Sequence, residues 1–487
     1  MLRNLLFSIA CSGLLASTAA AQDPIHFEGS VPEGPNTFFF LDFEVPEGIA
    51  EIEVVHTHIP EDTPNVLDWG VDDPNGSRGW GGSNSENAVI GEEAASRSYI
   101  PGEIPAGTWR VTVGKARLVE GEPAGYAVDI FLRETAELPP QPREPYQDPG
   151  SLNPEARWYA GDFHVHTRES GDVRTTLVID EALDVAEEQG LDFVMLSEHN
   201  TNSGFTLYAD AQARHPDLLI FPGQEFTTYE GHANAIGALD NVVYTVDTDG
   251  YTIEDAIDAF HEQGALFSIS HPSNPIPDCR GCSWDFVVDP ALIDGVEVQT
   301  AILRGLIFWE DLIEAGSRAT AVGGSDDHRA GKDLGAVETV IGTPTTMVFA
   351  DELSVEAIFE GVRSGRTAVK LFGPDGPMVD TTLSGDRDGN TVTADTAILR
   401  AVVTGGDGLR LQVIKNRETM RTVTVDGGPF THEVEVTAPE EGEDRYRHQV
   451  LLGPNPQTIT SYVWLKKGEP GPDGGVPDGG VPDGGAP

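Results

Sequence analysis

The apolar residues of this chain follow three patterns in succession, and this succession limits the folds that the chain can adopt. Residues 22–137 alternate apolar and polar side chains between turn signals, with no convincing helix among them. Residues 158–372 alternate short apolar strands with amphipathic helices, and the strand-and-turn pattern returns over residues 373–467. Period-two alternation is typical of half-buried strands, whereas repeated strand–helix units build a parallel sheet. The sequence therefore predicts an α/β fold flanked by two β-sandwich domains, the second of them small.

Helices of the middle segment have recognisable ends. A helix is predicted over 177–189 with Gly190 as its stop, a second begins after the cap Thr252, and a third runs over 354–365. Short apolar strands are predicted between the helices, at residues 193–196, 218–221, 265–269, 296–298 and 320–322. In a segment of about 215 residues, such units close most naturally into a (β/α) barrel, whose catalytic groups collect at the carboxyl ends of the strands.

The two ends and one internal segment are predicted to lie outside the packed domains. Residues 1–21 join one positive charge, a short apolar run and three alanines, the pattern of a secretory signal peptide. Residues 138–157 are rich in proline and read as a linker, and residues 468–487 repeat Pro-Asp-Gly-Gly-Val, which predicts a disordered tail. Since no other stretch approaches the ~20 apolar residues of a membrane span, we expect an exported, periplasmic or extracellular protein without a span.

Charge restricts the partners that the sequence predicts. The chain carries 30 basic and 80 acidic residues, a formal net charge of −50. An acidic surface repels the phosphates of nucleic acids and of anionic lipids. We therefore expect a small-molecule ester substrate and no nucleic-acid polymer, whereas the oligomeric state cannot be read from the sequence.

Histidines are concentrated in the middle segment. Eight of the 13 lie there, and six of these follow an apolar strand or stand beside a carboxylate. The motifs are, in order, Asp162-Phe163-His164-Val165-His166, Ser197-Glu198-His199-Asn200, Gly223-Gln224-Glu225, Gly231-His232-Ala233-Asn234, Ser270-His271-Pro272 and Gly324-Ser325-Asp326-Asp327-His328. Residues two apart in a strand point the same way, so His164 and His166 can bind one ion. Imidazole and carboxylate groups together suit zinc, manganese or iron.

Other histidines are given ordinary interpretations. His56 and His58 also form a His-x-His pair, but without carboxylate companions, and we assign them to one face of a strand. His215, before a proline, and His261, on the second helix, are assigned to the surface or the core.

The order of the motifs resembles that of the polymerase-and-histidinol-phosphatase (PHP) family of metal-dependent hydrolases, and within it the secreted carbaryl-hydrolase-like branch. The resemblance covers roughly residues 158–372. It implies a distorted (β/α)7 barrel with two or three divalent metal ions. Carried over motif by motif, it implies one ion on His164, His166, Glu225 and Asp326, a second on Glu225, His232 and His271, and a third on Asp172, His199 and His328.

The chain departs from the family pattern at two places. The family usually has Ser-Asp-Gly after the first motif, whereas this chain has Glu169-Ser170-Gly171-Asp172, so either acid is a candidate ligand for the third ion. The family tends to have Asp before the histidine of the second motif, where this chain has Glu198. We expect Glu198 and Asn234 to orient ligands or water without binding metal.

This metal site predicts a hydrolase in which a metal-bound hydroxide attacks a phosphoester. Glu225 would bridge two ions, and Asp326 or Asp327 would transfer protons. Arg304 and Arg329 are candidates to hold an anionic substrate group, or equally to pair with carboxylates.

Two alternatives stay open. The first is hydrolysis of a carbamate or carboxylic ester by the same metals. The second is a non-catalytic surface protein that binds carbohydrate through exposed aromatics such as Trp80, although a tryptophan buried in a sandwich core is commoner.

Cysteine usage adds one local prediction. With the signal peptide removed, Cys279 and Cys282 remain, in the spacing C-R-G-C. In an oxidising compartment we expect a disulfide that closes one loop, in preference to redox chemistry or half a metal site.

Overall fold

The computed structural model describes residues 23–173, 176–273, 280–299, 304–332 and 339–468. The predicted signal peptide and the predicted tail beyond Gly468 lie outside these residues. The fold is mixed α/β, with β-sandwich-like sheets and few helices. In the described part of the chain, no helix reaches the length and apolarity that a transmembrane span requires.

Two four-stranded antiparallel sheets make up the N-terminal part. Their strands are β1 (Ile25–Ser30), β2 (Phe38–Val45), β3 (Glu51–Ile59), β4 (Val66–Asp73), β5 (Gly76–Gly82), β6 (Ala88–Gly91), β7 (Gly107–Arg117) and β8 (Gly125–Arg133). The orders are β1-β8-β3-β6 and β2-β7-β4-β5. Inward-facing residues of both sheets, such as Trp69, Val111 and Ile130, share one core. This is the two-layer packing that the alternating pattern predicts.

Strands and helices alternate through much of the middle part. The strands are β9 (Arg157–Val165), β10 (Phe193–Leu196), β11 (Leu219–Phe221), β12 (Gly223–Thr227), β13 (His232–Ile236), β14 (Leu266–Ile269), β15 (Gly295–Glu297), β16 (Thr320–Val322), β17 (Thr345–Ala350) and β18 (Thr367–Lys370). The α-helices are α1 (Ile179–Glu188), α2 (Tyr208–Arg214), α3 (Ile253–Glu262), α4 (Arg304–Glu314) and α5 (Val355–Arg363).

The C-terminal part is built of strands in two layers. They are β19 (Met378–Leu383), β20 (Arg387–Asp388), β21 (Thr391–Thr393), β22 (Thr396–Thr404), β23 (Arg410–Lys415), β24 (Glu418–Thr424), β25 (Phe430–Thr437), β26 (Glu443–Leu452), β27 (Asn455–Thr460) and β28 (Val463–Lys466). A three-stranded sheet, β19-β22-β25, packs against strands of a twelve-stranded sheet. Leu399 of the first layer and Val413 and Leu465 of the second belong to one core.

A closed (β/α)7 barrel is not shown over the described residues. Strands β9, β10, β11, β17 and β18 belong to the twelve-stranded sheet, whereas β12 to β16 form a separate sheet of five. The pair β12–β13 is antiparallel, because the turn from Thr228 to Gly231 is too short for a crossover helix. The pairs β13–β14 and β9–β17 are antiparallel as well. Strand β18 pairs with β17 on one edge and with β27 on the other, and this second pair extends the sheet into the C-terminal part.

Candidate metal centre

The carboxylate of Glu225 on β12 lies at the middle of a group of imidazoles. Its Oε2 atom is 3.3 Å from Nε2 of His164 and 3.4 Å from Nε2 of His166. Its Oε1 atom is 3.1 Å from Nδ1 of His232 and 3.2 Å from Nε2 of His271. Glu225 is fully buried, so this carboxylate has imidazoles on both sides and no access to bulk water.

Asp326 completes a four-residue group on the Oε2 side. Its Oδ1 atom is 3.2 Å from Nε2 of His164 and 3.3 Å from Nε2 of His166. Donor atoms of His164, His166, Glu225 and Asp326 all lie within 4.8 Å of one another. Asp326 has φ of 56°, a left-handed backbone that bends the chain sharply after β16. Strained positions of this kind are often found at functional sites.

Glu225, His232 and His271 form a second group of three buried donors. His271 donates from Nδ1 to the carbonyl oxygen of Cys282 at 3.0 Å. Nε2 of the same ring lies 3.2 Å from Oε1 of Glu225. In the neutral ring with Nδ1 protonated, Nε2 is the nitrogen that can bind a metal.

Asp172, His199 and His328 meet on the outer side of the cluster. Oδ2 of Asp172 is 3.3 Å from Nε2 of His199 and 3.2 Å from Nε2 of His328. The ring of His166 stacks on both histidines, with centroids 4.4 and 4.1 Å away. Of the two acids that the sequence left open, Asp172 is the one beside these histidines. Glu169 instead accepts a hydrogen bond from Ser203 at 3.2 Å.

Several buried polar atoms at the centre lack a hydrogen-bond partner among the described residues. They are Nε2 of His164, His166 and His232, and Oε2 of Glu225. Unpaired polar atoms are costly in a protein interior, where nearly all find a partner. Nitrogen and carboxylate donors that converge without hydrogen bonds fit a divalent cation. The residues present therefore suit the metal ions that the sequence predicts.

Charges within the cluster shift its pKa values strongly. Burial disfavours the charged form of Glu225, but the facing imidazoles of His164, His199 and His232 outweigh it and hold the pKa of Glu225 well below its usual range. Burial, aided by the neighbouring His328 and His199, lowers the pKa of His166 to about 3. His166 is therefore neutral at physiological pH, the form that binds metal.

His328 behaves differently from His166. Burial lowers its pKa, but the Asp172 carboxylate outweighs burial and raises the pKa of His328 to about 9. A cation that binds at His328 therefore has to displace a proton, which makes metal affinity at this position dependent on pH.

Glu297 at the end of β15 is a residue of the centre that the sequence analysis missed. Its Oε1 atom accepts from Nδ1 of His164 at 2.7 Å and from the amide of Asn234 at 3.0 Å, and Oε2 accepts from the backbone N–H of His271 at 2.8 Å. It thereby fixes two histidines and the predicted orienting residue Asn234. The available signal was an acid inside an otherwise apolar buried strand, Gly-Val-Glu-Val.

Glu198 lies behind the cluster. Its carboxylate accepts hydrogen bonds from the hydroxyls of Thr167 at 2.5 Å and Ser170 at 2.7 Å. Ser170 in turn accepts from the backbone N–H of His199 at 3.2 Å and contacts Nδ1 of His166 at 3.1 Å. Burial raises the pKa of Glu198 to about 7. Glu198 is thus linked to His166 and His199 through the hydroxyl group of Ser170.

The Asp327 carboxylate is hydrogen-bonded to backbone N–H groups. It accepts from the N–H groups of Arg329 at 2.6 Å, Gly331 at 2.7 Å and Ile341 at 3.2 Å. It thus organises the chain after the last motif. Arg304 is exposed at the start of α4, and Arg329 is half-buried.

The remaining histidines have separate surroundings. His56 stacks on Trp69 with ring centroids 4.5 Å apart, and His58 meets the same indole edge-on. His261 pairs with Asp294 at 2.8 Å. His215 lies between Asp180 and Glu187 of α1. With Asp184 and Glu187 it forms another group of potential metal ligands, but both of these acids are exposed.

The N-terminal sheets reach the metal cluster. The indole of Trp80 on β5 is partly buried and meets the ring of His199 edge-on, with centroids 6.2 Å apart. Asp68 on β4 accepts a hydrogen bond from the hydroxyl of Tyr229 at 2.6 Å. Trp80 therefore lies neither in the core of the sandwich nor on a remote surface, but beside a predicted ligand.

Of the two cysteines, Cys282 is disulfide-bonded, whereas Cys279 lies outside the described residues.

A scan against protein families finds no match for this chain. An uncharacterised protein of Methanocaldococcus jannaschii is 28% identical over 151 residues, which cover 29% of this chain and 82% of that protein.

Among solved structures, a lesion-specific endonuclease from Pyrococcus furiosus matches with a TM-score of 0.30 and 14% identity, over 44% of this chain and 58% of that one. Endonuclease Q in complex with a 27-mer duplex substrate that has an abasic lesion at the active site matches with a TM-score of 0.28 and 14% identity, over 42% of this chain and 57% of that one. The chain thus spans less than two thirds of both endonucleases. Neither match points to the carbaryl-hydrolase-like branch.

The prediction of a small-molecule ester partner and no nucleic-acid polymer is wrong by this comparison, because the matches include a DNA-bound endonuclease. The error has a physical cause. A net charge of −50 is a sum over the whole chain, whereas a substrate meets the local potential of a site. Divalent cations bound in a cluster of this kind would make that local potential far more positive than the net charge indicates.

Proposed function

We propose that this chain is a multinuclear metal-dependent hydrolase that cleaves phosphoesters. The observation that carries the proposal is the position of Glu225, whose two carboxylate oxygens face different sets of imidazoles. Oε1 faces His232 and His271, and Oε2 faces His164, His166 and His199. A buried acid shared by two sets of ligand atoms is suited to bridge two cations.

The proposed ligand sets are those carried over from the motifs. One ion would be held by His164, His166, Glu225 and Asp326, a second by Glu225, His232 and His271, and a third by Asp172, His199 and His328. Divalent ions there would polarise the scissile bond and supply a nucleophilic water at neutral pH. Because three such cations would outweigh the three carboxylates of Glu225, Asp326 and Asp172, the site would favour an anionic phosphate group over a neutral carbonyl.

Side chains of the protein would orient the ligands and transfer protons. Glu297 holds His164 by Nδ1, so that Nε2 faces the cluster. Glu225 is fully buried, whereas the side chain of Asp326 is 25% exposed. Asp326 is therefore more open to water than Glu225 and is the candidate to receive a proton there, while Asp327 is occupied by backbone N–H groups. Export of the protein, with cleavage before Gln22, is part of the same proposal.

The test combines metal analysis with a substrate comparison. Full-length protein is purified, its metal content is measured, and the chelated protein is reloaded with zinc, manganese or iron. The reloaded protein is assayed on nitrophenyl phosphate, bis(nitrophenyl) phosphate, a naphthyl carbamate and a DNA duplex with an abasic site. We expect metal-dependent phosphoester cleavage. Cleavage of the carbamate alone would replace the phosphoester with the ester alternative.

Two variants make the assay specific to this site. The double variant His164→Ala, Asp326→Ala removes two ligands of one proposed ion and should lose both metal and activity. His261→Ala removes a histidine of α3 that pairs with Asp294, and should retain both. Equal metal content in the double variant and the wild type would refute the assigned site.

A further inference from the structure

One arginine of the N-terminal sheets is bonded to the backbone of a loop in the metal centre. Arg97 lies in the turn segment between β6 and β7, and its side chain is 8% exposed. Its Nε atom donates to Glu86 at 2.7 Å, which fixes the guanidinium. The terminal nitrogens donate to four carbonyl oxygens, those of Ser170 at 3.0 Å, Val173 at 2.5 Å, Gly171 at 3.1 Å and Arg168 at 3.3 Å.

The loop that Arg97 binds, residues 168–173, carries two contacts of the cluster. Asp172 faces His199 and His328 from this loop. Ser170 accepts from the backbone N–H of His199 and contacts His166. The backbone conformation of these six residues therefore decides where Asp172 lies relative to His199 and His328.

A close backbone contact joins the same loop to strand β5. A Cβ atom added at Gly171 would lie 2.0 Å from the carbonyl oxygen of Gly81. Only glycine permits this approach. Gly81 follows Trp80, whose indole meets His199, so β5 covers this side of the cluster.

We propose that Arg97 is a positioning residue of the metal centre. It holds the 168–173 loop so that Asp172 reaches His199 and His328, and the third cation position is built jointly by the N-terminal sheets and the middle part. The inference rests on the proposed function only in assuming that cations bind this cluster. The N-terminal sheets are then a component of the centre and not a separate binding module.

Arginine is suited to this task by its geometry. The planar guanidinium offers five N–H donors in a fixed fork, whereas lysine offers three on a flexible stem. Nη1 of Arg97 contacts the carbonyls of Arg168, Ser170 and Val173, and Nη2 contacts that of Gly171, so one rigid group bonds four points of the loop. Without the guanidinium these carbonyls lose this donor, and the loop is less firmly held.

The experiment measures cation binding to the full-length protein. Chelated wild type, Arg97→Ala, Arg97→Lys and Asp172→Asn are equilibrated with Mn²⁺ by dialysis, and bound manganese is measured by elemental analysis over a range of free concentrations. We expect Arg97→Ala to weaken the same ion that Asp172→Asn weakens, by at least about 10-fold, and to retain the others. Arg97→Lys should recover part of the loss.

Arg78→Ala is the matched control. Arg78 is also a buried arginine of the N-terminal sheets, and it donates to the carbonyl oxygens of Ile100 and Glu103 while pairing with Asp73. Its loss should lower thermal stability and leave manganese binding unchanged. Gly171→Ala, which keeps Arg97 but displaces the loop from Gly81, should reproduce the selective loss.

Each outcome decides the inference. Manganese binding in Arg97→Ala within two-fold of wild type, or an equal loss in Arg78→Ala, overturns it. If Arg97→Ala does not fold, Arg97→Lys and Gly171→Ala decide by the same criterion. A wild type that binds no manganese overturns the proposed function as well. Selective loss of one ion in a protein without phosphoesterase activity supports the inference and contradicts only the proposed reaction.

Discussion

His164 and His271 reach the centre from different strands, and the carboxylate of Glu297 holds both of them. The sequence could predict the donors because each follows or lies in a short apolar strand within a recognisable motif. It could not predict Glu297, because an acid without a histidine neighbour gives no motif, and its partners are fixed by pairing between β14 and β15. At this scale, spacing along the chain identifies candidate ligands, whereas the groups that orient them depend on the sheet.

Glu297→Gln tests this orienting role. The amide can still accept from His164, but it lacks the negative charge that keeps Nδ1 protonated and Nε2 free. We expect metal affinity to fall by about 10–100-fold with little change in the fold. Glu230→Gln, on the turn between β12 and β13, is the matched control for loss of a nearby negative charge. Unchanged affinity in Glu297→Gln would contradict the role, and dialysis against a metal buffer measures it.

His448 provides a prediction about pH that is independent of the metal centre. Burial, with smaller effects of His432 and Arg447, lowers the pKa of His448 to about 3. The folded protein keeps this histidine neutral, whereas the unfolded chain protonates it below about pH 6.5. The unfolded state therefore binds more protons between these values, and the free energy of unfolding falls as pH falls through them.

His448→Gln should remove this contribution. We expect the free energy of unfolding of the variant to depend less steeply on pH than that of wild type, by up to about 1.4 kcal/mol per pH unit between about pH 6 and 4. Urea unfolding of chelated protein at several pH values measures the difference. Parallel pH profiles for the two proteins would show that His448 is not held neutral.

Helices α1, α3 and α5 were predictable from their apolar faces and end signals, and they begin and end within two residues of the expected positions. The hairpin of β12 and β13 was not predictable, because the motifs that it carries were assigned to the ends of parallel strands. Glu225 lies inside β12 opposite Asn234, and His232 opens β13 opposite Thr227, so Glu225 and His232 are diagonal neighbours across an antiparallel pair. A short loop decides this pairing, and the histidine motifs do not reveal it.

Thr252→Ala tests the best-defined helix end. Thr252 accepts from the backbone N–H of Asp255, whose carboxylate accepts from the backbone N–H of Thr252 at 2.8 Å. Loss of this capping box should lower the free energy of unfolding by about 1 kcal/mol. Ser354→Ala at α5 removes a single cap bond of 3.3 Å and should cost less. Chemical denaturation measures both, and a larger loss in Ser354→Ala would contradict the ranking.

On the scale of the whole molecule, the middle and C-terminal parts share one sheet through β18 and β27. A buried ion pair spans the same boundary. Arg447 on β26 pairs with Glu310 of α4 at 2.7 Å, and Tyr462 donates to the other oxygen of Glu310 at 2.7 Å. The periodicity of the sequence predicted strands in both parts, but it contained no sign that one sheet joins them.

Arg447→Met should therefore destabilise both parts together. The substitution leaves Glu310 buried without its counter-charge, which costs about 3–5 kcal/mol. We expect a single calorimetric transition for residues of both parts, shifted to lower temperature, with part of the loss recovered in the double variant Arg447→Met, Glu310→Leu. A C-terminal transition that moves alone would contradict the coupling.

The shared carboxylate of Glu225 has a consequence for how this protein fills with cations. If two ions share it as proposed, an ion on one side would fix the rotation of the carboxylate and withdraw its charge, and so change what the next ion encounters. Uptake would then be interdependent, and a titration should depart from the sum of separate sites. Partly loaded preparations would be mixtures of unlike species, and any activity measured on them would not scale with average occupancy.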